Sequence, residues 1–137
     1  MGIYVYPAVS ASLKTPYKIV LTSGTSYTVP AGVTSLNVTC AGGGGSTNQG
    51  VTGSGGSTSF TGATTAAGGS GSNVASNGFT GFNAAHVSPG NYTAFSFGGQ
   101  VTYSTVSTSG GSAITYAIGA AGGTFGASGY IIIEYFL

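Results

Sequence analysis

Acid–base, metal or nucleophilic chemistry in this chain would rest on very few side chains. The charged residues are Lys14, Lys18 and Glu134, with no Asp and no Arg, and His86 and Cys40 are single. A Ser/His/acid triad needs an acid to orient its base. Here the sole carboxylate, Glu134, lies inside the apolar run GYIIIEYFL. One carboxylate also rules out the paired acids of a glycosidase. Cys40 alone allows neither an intrachain disulfide nor a thiolate metal cluster, and reads as a small buried apolar side chain. A divalent cation would have to rely on carbonyls and hydroxyls. The run GGGGST at residues 42–47 lacks the lysine and the spacing of a phosphate loop. His86, beside small residues, reads as a loop or interface hydrogen-bonder before a pH switch or a ligand. No catalytic, cofactor or metal residue is therefore assigned, and the chain is expected not to be an enzyme. A carboxylate in an apolar strand needs a partner or an edge position. Lys18 is the candidate, which makes Lys18 and Glu134 a structural ion pair rather than a catalytic one; a backbone amide is the other possibility.

The same scarcity of charge limits the partners. Nucleic-acid binding needs several Lys or Arg against phosphates, and a polybasic membrane motif needs a cluster of them. Two lysines and a net charge of +1 meet neither need. No apolar run approaches the roughly 20 residues of a membrane-spanning helix. The opening MGIYVYPAV has no basic stretch followed by an apolar one, so no secretory signal is expected, and Tyr6 breaks the myristoylation pattern after Gly2. The triplets Asn37-Val38-Thr39 and Asn91-Tyr92-Thr93 then read as chance matches to the glycosylation pattern. Charged residues are 2% of the chain against about 25% in an ordinary soluble domain. Net charge near zero favours association, so the chain is expected to work within an assembly.

The 137 residues are enough for one domain with a real core. Twenty-seven glycines among Ser, Thr and Asn suggest disorder, but 9 Tyr, 7 Phe and many β-branched residues argue for a folded chain. Helical periodicity is missing throughout, and short β-type runs recur between Gly/Ser/Asn clusters. They predict an all-β fold, an antiparallel, jelly-roll-like β-sandwich with long glycine-rich loops. Strands are expected at residues 18–22, 26–29, 33–40, 92–97, 101–106, 113–118 and 129–137. Residues 26–29 and 33–40 read as a hairpin around Pro30-Ala31-Gly32, a type I turn with proline second and glycine fourth. Gly98-Gly99 and Ser109-Gly110-Gly111 read as further hairpin turns. Leu36, Val38 and Cys40 should share a buried face. The last strand is apolar on both faces, as in a central strand or a subunit contact. Residues 1–16 stand apart as an N-terminal arm or a frayed terminus, and residues 17–137 form the glycine-rich body.

Three stretches resemble the glycine-rich domain of bacteriophage tail-fibre and related virion surface proteins. They are TSGTSYTVPAGVTSLNVTCAGGGG at residues 22–45, GGSTSFTGATTAAGG at 55–69 and IGAAGGTFGASGYIIIEY at 118–135. In that family a T-VPAGVT segment opens the domain, a glycine run follows, and a closing apolar strand ends in Glu-Tyr. The resemblance implies a virion structural protein located on the phage particle surface. It would be a tail-fibre-type, receptor-contacting component or, alternatively, a capsid decoration protein that cements or adorns the head. It implies a homotrimer in contact with other virion proteins, capsid or tail, and in the fibre reading with a host surface glycan. Phe79, Phe82 and Phe125 on the Gly/Ser/Asn loops would offer stacking faces there, unless they pin the loops to the core. A non-viral glycine-rich adhesin is a third reading, disfavoured by the missing secretion signal.

Overall fold

Alternation of apolar and polar side chains builds the central layer of the molecule. The computed structural model describes residues 13–48, 51–70, 84–87, 93–124 and 126–137. Among the described residues there are eleven strands and no helix. They are β1 (Pro16–Leu21), β2 (Ser26–Thr28), β3 (Ser35–Ala41), β4 (Gly45–Asn48), β5 (Val51–Gly53), β6 (Ser59–Phe60), β7 (Ala84–Val87), β8 (Thr93–Phe97), β9 (Val101–Ser107), β10 (Ala113–Ala117) and β11 (Tyr130–Phe136). They pair antiparallel in three sheets, with orders β1-β11-β3-β9, β2-β10-β6 and β5-β4-β8-β7. The chain is all-β, as its strand-forming residues predict.

The first two sheets share one core. Leu36, Val38 and Cys40 of β3, Val106 of β9, and Ile131, Ile133 and Tyr135 of β11 come from one layer. Phe60 of β6, Ile114 and Tyr116 of β10, and Val29 beside β2 come from the other, with Val33 in the corner that leads to β3. Burying each large aliphatic or aromatic side chain contributes about 1.5–3 kcal/mol. Phe60 sits at the centre of an aromatic group, its ring centroid 6.4 Å from Tyr116 and 6.5 Å from Tyr27. The Tyr116 hydroxyl donates to the Ser23 carbonyl at 2.7 Å, tying the loop after β1 to the second layer.

Three expected hairpins are instead crossings between sheets. β2 pairs with β10, whereas β3 pairs with β11 and β9, so the Pro30-Ala31-Gly32 corner carries the chain from one layer to the other. Val29 and Val33, both fully buried, anchor the two sides of that corner. The turn also closes one residue later than expected. Val33 donates to the Pro30 carbonyl at 3.2 Å, and Gly32 takes the third position with φ of 85°, where type II geometry calls for glycine. Gly98-Gly99 likewise joins β8 of the third sheet to β9 of the first, and the 109–111 turn joins β9 to β10. Alternation marks a strand's faces but not its neighbour, and two strands joined by a short turn can lie in facing layers. The glycine-rich 41–59 segment, whose composition predicts a loop, holds the paired strands β4 and β5. β7 is a further strand that the sequence pattern did not mark.

Candidate functional site

Register fixes which segments meet at each end of the two-layered body. Ala41 faces both Tyr130 and Val101, and Ala117 faces Ser59. The segments around 42–45, 53–58, 66–70, 98–100 and 118–129 therefore leave the body at one end. At the other end Pro16 faces Phe136, Thr28 faces Ala113 and Ser35 faces Ser107. Thr15 extends the first ladder by exchanging hydrogen bonds with Leu137 at 2.8 and 3.0 Å. The N-terminal residues thus join the body at the end opposite the glycine segments.

The glycine segments form a packed bundle. Three successive amides, those of Gly42, Gly43 and Gly44, donate to three different segments: to the carbonyls of Gln100 at 2.9 Å, Gly56 at 2.8 Å and Ala127 at 2.7 Å. Their carbonyls serve other neighbours, Gly43 accepting from Gly69 at 2.8 Å and Gly44 from Gly122 at 2.9 Å. Gly55 reaches Gly69, and Gly56 reaches Ala120. A sheet strand sends its bonds to two flanking strands in one plane, whereas these backbones bond in several directions. Such packing requires glycine, as at the crowded axis of collagen. A β-carbon on Gly43 would land on the Ala120 carbonyl, and one on Gly55 on the Gly43 carbonyl. Side-chain hydroxyls complete the bundle. Ser46, 1% exposed, donates to the Gly122 carbonyl at 2.9 Å, and Thr58, fully buried, accepts from the Gly119 amide at 2.9 Å.

The bundle can hold loops rigidly and carries no ionisable side chain of its own. Among the described residues, no three His, Cys, Asp or Glu side chains gather in one place. Glu134 is exposed on β11, and the register sets Lys18 of β1 directly opposite it, with Asn37 of β3 on its other side. The expected pair is thus juxtaposed on the outer face of the first sheet. His86 is on β7 of the third sheet, opposite Ala94. Cys40 is fully buried on β3, and burial pushes its thiol pKa up against the opposing influence of Thr102. Phe79, Phe82 and Phe125 lie outside the described residues.

Two depressions mark the body. One, of about 600 Å³, opens at the arm end beside the 109–112 turn and is lined by hydroxyls of Thr61, Thr108, Ser109 and Thr115 over Val106 and Ile114. The other, of about 320 Å³, is on the outer face of the first sheet between Asn37, Tyr103, Thr105 and Glu134. Tyr103 stands 74% exposed there. Alternation places Tyr103 on one face of β9 without saying which face is covered, so this exposure is not legible from the residues alone. No protein-family model, curated protein or solved structure matches this chain. What the geometry defines is an all-β body with a glycine bundle at one end and its N-terminal approach at the other.

Proposed function

We propose that the chain is a non-enzymatic structural protein of a bacteriophage virion, a tail-fibre-type or surface-exposed component that contacts the host receptor. The observation that supports this reading is the opposed placement of the two ends. Thr15 and Pro16 pair with Leu137 and Phe136 at one end of the body, and the glycine bundle caps the far end. A part that attaches at one end and presents loops at the other needs this polarity. The bundle suits presentation, because its amides and carbonyls bond to one another and hold the loop bases fixed. Neutral Ser, Thr and Asn loops with Phe79, Phe82 and Phe125 would meet a host glycan through hydroxyls, amides and aromatic stacking. The resemblance to fibre domains supports a place on the particle surface, in contact with capsid or tail proteins.

Decoration of the capsid is the second reading, favoured by the distinct composition of the N-terminal segment. Purified protein tested on host cells and on undecorated capsids separates the two. Binding to cells together with blocked phage adsorption supports the receptor-contacting role. Binding to capsids alone transfers the protein to the head, and binding to neither overturns both.

A further inference from the structure

The described large hydrophobic side chains left in water cluster on one sheet. Val20, Tyr103, Tyr130 and Phe136 are exposed on the outer face of the β1-β11-β3-β9 sheet, Tyr17 is exposed on its other face where it stacks on Tyr135, and Leu13 and Leu137 are exposed at its border. The outer face of this sheet is built in rows: Pro16 beside Phe136, then Lys18 beside Glu134, then Val20 beside Ile132, each pair directly opposed across β1 and β11. The alternate faces of β11 differ sharply. Ile131 and Ile133 are fully buried in the core, while Tyr130, Glu134 and Phe136 are exposed. Among the described residues, this outer face of β11 is therefore left exposed. Apolar rows on both sides of a charged row make this face suited to a contact.

We infer that this face is a self-association surface, covered by the same β1–β11 face of a second copy across a two-fold axis running along the strands. Charge complementarity identifies the occupant. The face carries one cation and one anion on neighbouring strands, and they are two of the three charged residues in the chain. A two-fold axis between β1 and β11 sets Lys18 over Glu134 of the partner subunit, and the reciprocal pair follows by symmetry. The same operation sets Val20 over Ile132 of the partner subunit and Pro16 over Phe136 of the partner subunit. A slip of one row would oppose charge to aliphatic surface, so the register is self-specified. The net charge of +1 gives two copies little to repel them.

The edges of the sheet favour face-to-face packing over strand addition. β1 begins with Pro16 and bears Lys18, both devices that blunt an exposed edge. The β9 edge is engaged by the 64 segment, where the Thr64 amide donates to the Ser104 hydroxyl at 2.9 Å and the Thr102 hydroxyl to the Thr64 carbonyl at 2.6 Å. This inference does not depend on a viral role, and it specifies a two-fold contact where the fibre analogy implies a trimer.

Sedimentation of the full chain tests it across concentrations from about 1 to about 100 µM, a range suited to a contact of modest area. The wild type should form a reversible dimer. Lys18→Glu and Glu134→Lys, each with an unchanged far-UV spectrum, should weaken association at least tenfold, because each leaves like charges facing. An equimolar mixture of the two variants should then form a heterodimer, since one face is doubly negative and the other doubly positive. An ion pair acting only within a chain cannot give that rescue. A wild type that stays monomeric or sediments as a trimer overturns the inference. So do single variants that associate normally, or a mixture that fails to pair.

Discussion

The Gly43 amide donates to the Gly56 carbonyl at 2.8 Å, although the two belong to segments that separate sheets would ordinarily keep apart. A β-carbon on either residue would strike the backbone of Gly119 and Ala120, which lies against both. The hydrogen bond is one link of a lattice in which Gly43 also accepts from Gly69, Gly69 accepts from Gly55, and Gly56 donates to Ala120. The glycine runs are thus a second structural core, held by backbone hydrogen bonds where the body is held by apolar burial. Buried peptide groups must be paired, and here they pair with each other.

Glycines of the bundle and glycines of the turns should therefore respond differently to alanine. A methyl on Gly55 meets the Gly43 carbonyl and carbon, both backbone atoms that cannot turn aside. Gly111, with φ of 84°, has nothing within 4 Å of its added β-carbon. Gly55→Ala should cost more than about 4 kcal/mol, and Gly111→Ala about 1–2 kcal/mol from left-handed strain alone. Urea unfolding of both variants measures this. Equal costs would mean that close packing does not govern the bundle.

Tyr27 makes stability fall at high pH. Its hydroxyl is buried without a hydrogen-bond partner. Burial foremost, with the neighbouring Tyr135 phenol opposing the phenolate, pushes its pKa from the ordinary 10.0 up to about 12. The unfolded chain then releases this proton before the folded one does. The contribution to stability is complete below pH 10, declines as the pH rises from 10 towards 12, and levels off above that. Tyr27→Phe should remove that part of the decline. It should be neutral or stabilising near pH 7, because it deletes an unsatisfied polar atom. Chemical denaturation of wild type and variant across this range isolates the difference from the other tyrosines.

The faces of the strands were legible in the sequence, and their partners were not. Leu36, Val38 and Cys40 alternate with polar residues, and the structure buries all three. Ile131, Ile133 and Tyr135 form the inner face of β11 in the same way. Nothing in residues 26–40 says that β2 and β3 belong to different layers, because that depends on β10 and β11, about ninety residues further along the chain. The glycine runs were visible only as composition. Their bundle depends on five segments converging at one end, a consequence of register that no local pattern encodes. Phe60 shows the same limit. A lone aromatic among Gly, Ser and Thr reads as a minor strand end, yet it is 1% exposed at the centre of the core.

Cys40 should resist thiol reagents in the folded protein. Burial both blocks access and raises the thiol pKa, so little thiolate forms near neutral pH. Modification should follow global unfolding, and Ellman's reagent should report a rate that rises with denaturant in step with the loss of structure. Rapid reaction in buffer would show that β3 opens locally.

Trypsin should separate the N-terminal approach from the body at one bond. The chain has no Arg, and Lys14 and Lys18 are its only lysines. Lys18 is in the middle of β1, opposite Glu134 in a ladder that runs from Pro16 to Leu21. A protease needs an unpaired extended segment, so cleavage there requires β1 to leave the sheet. Lys14 precedes β1, and only the terminal Thr15 and Leu137 pair need fray to expose its carboxyl side. Mass spectrometry of a timed digest should show residues 15–137 accumulating as a stable product, with residues 19–137 appearing only under denaturing conditions. The 15–137 product should remain folded, because it keeps every described strand and every residue of the described hydrophobic core. Early cleavage after Lys18 would place β1 outside the cooperative fold and remove the strand on which the proposed two-fold contact depends.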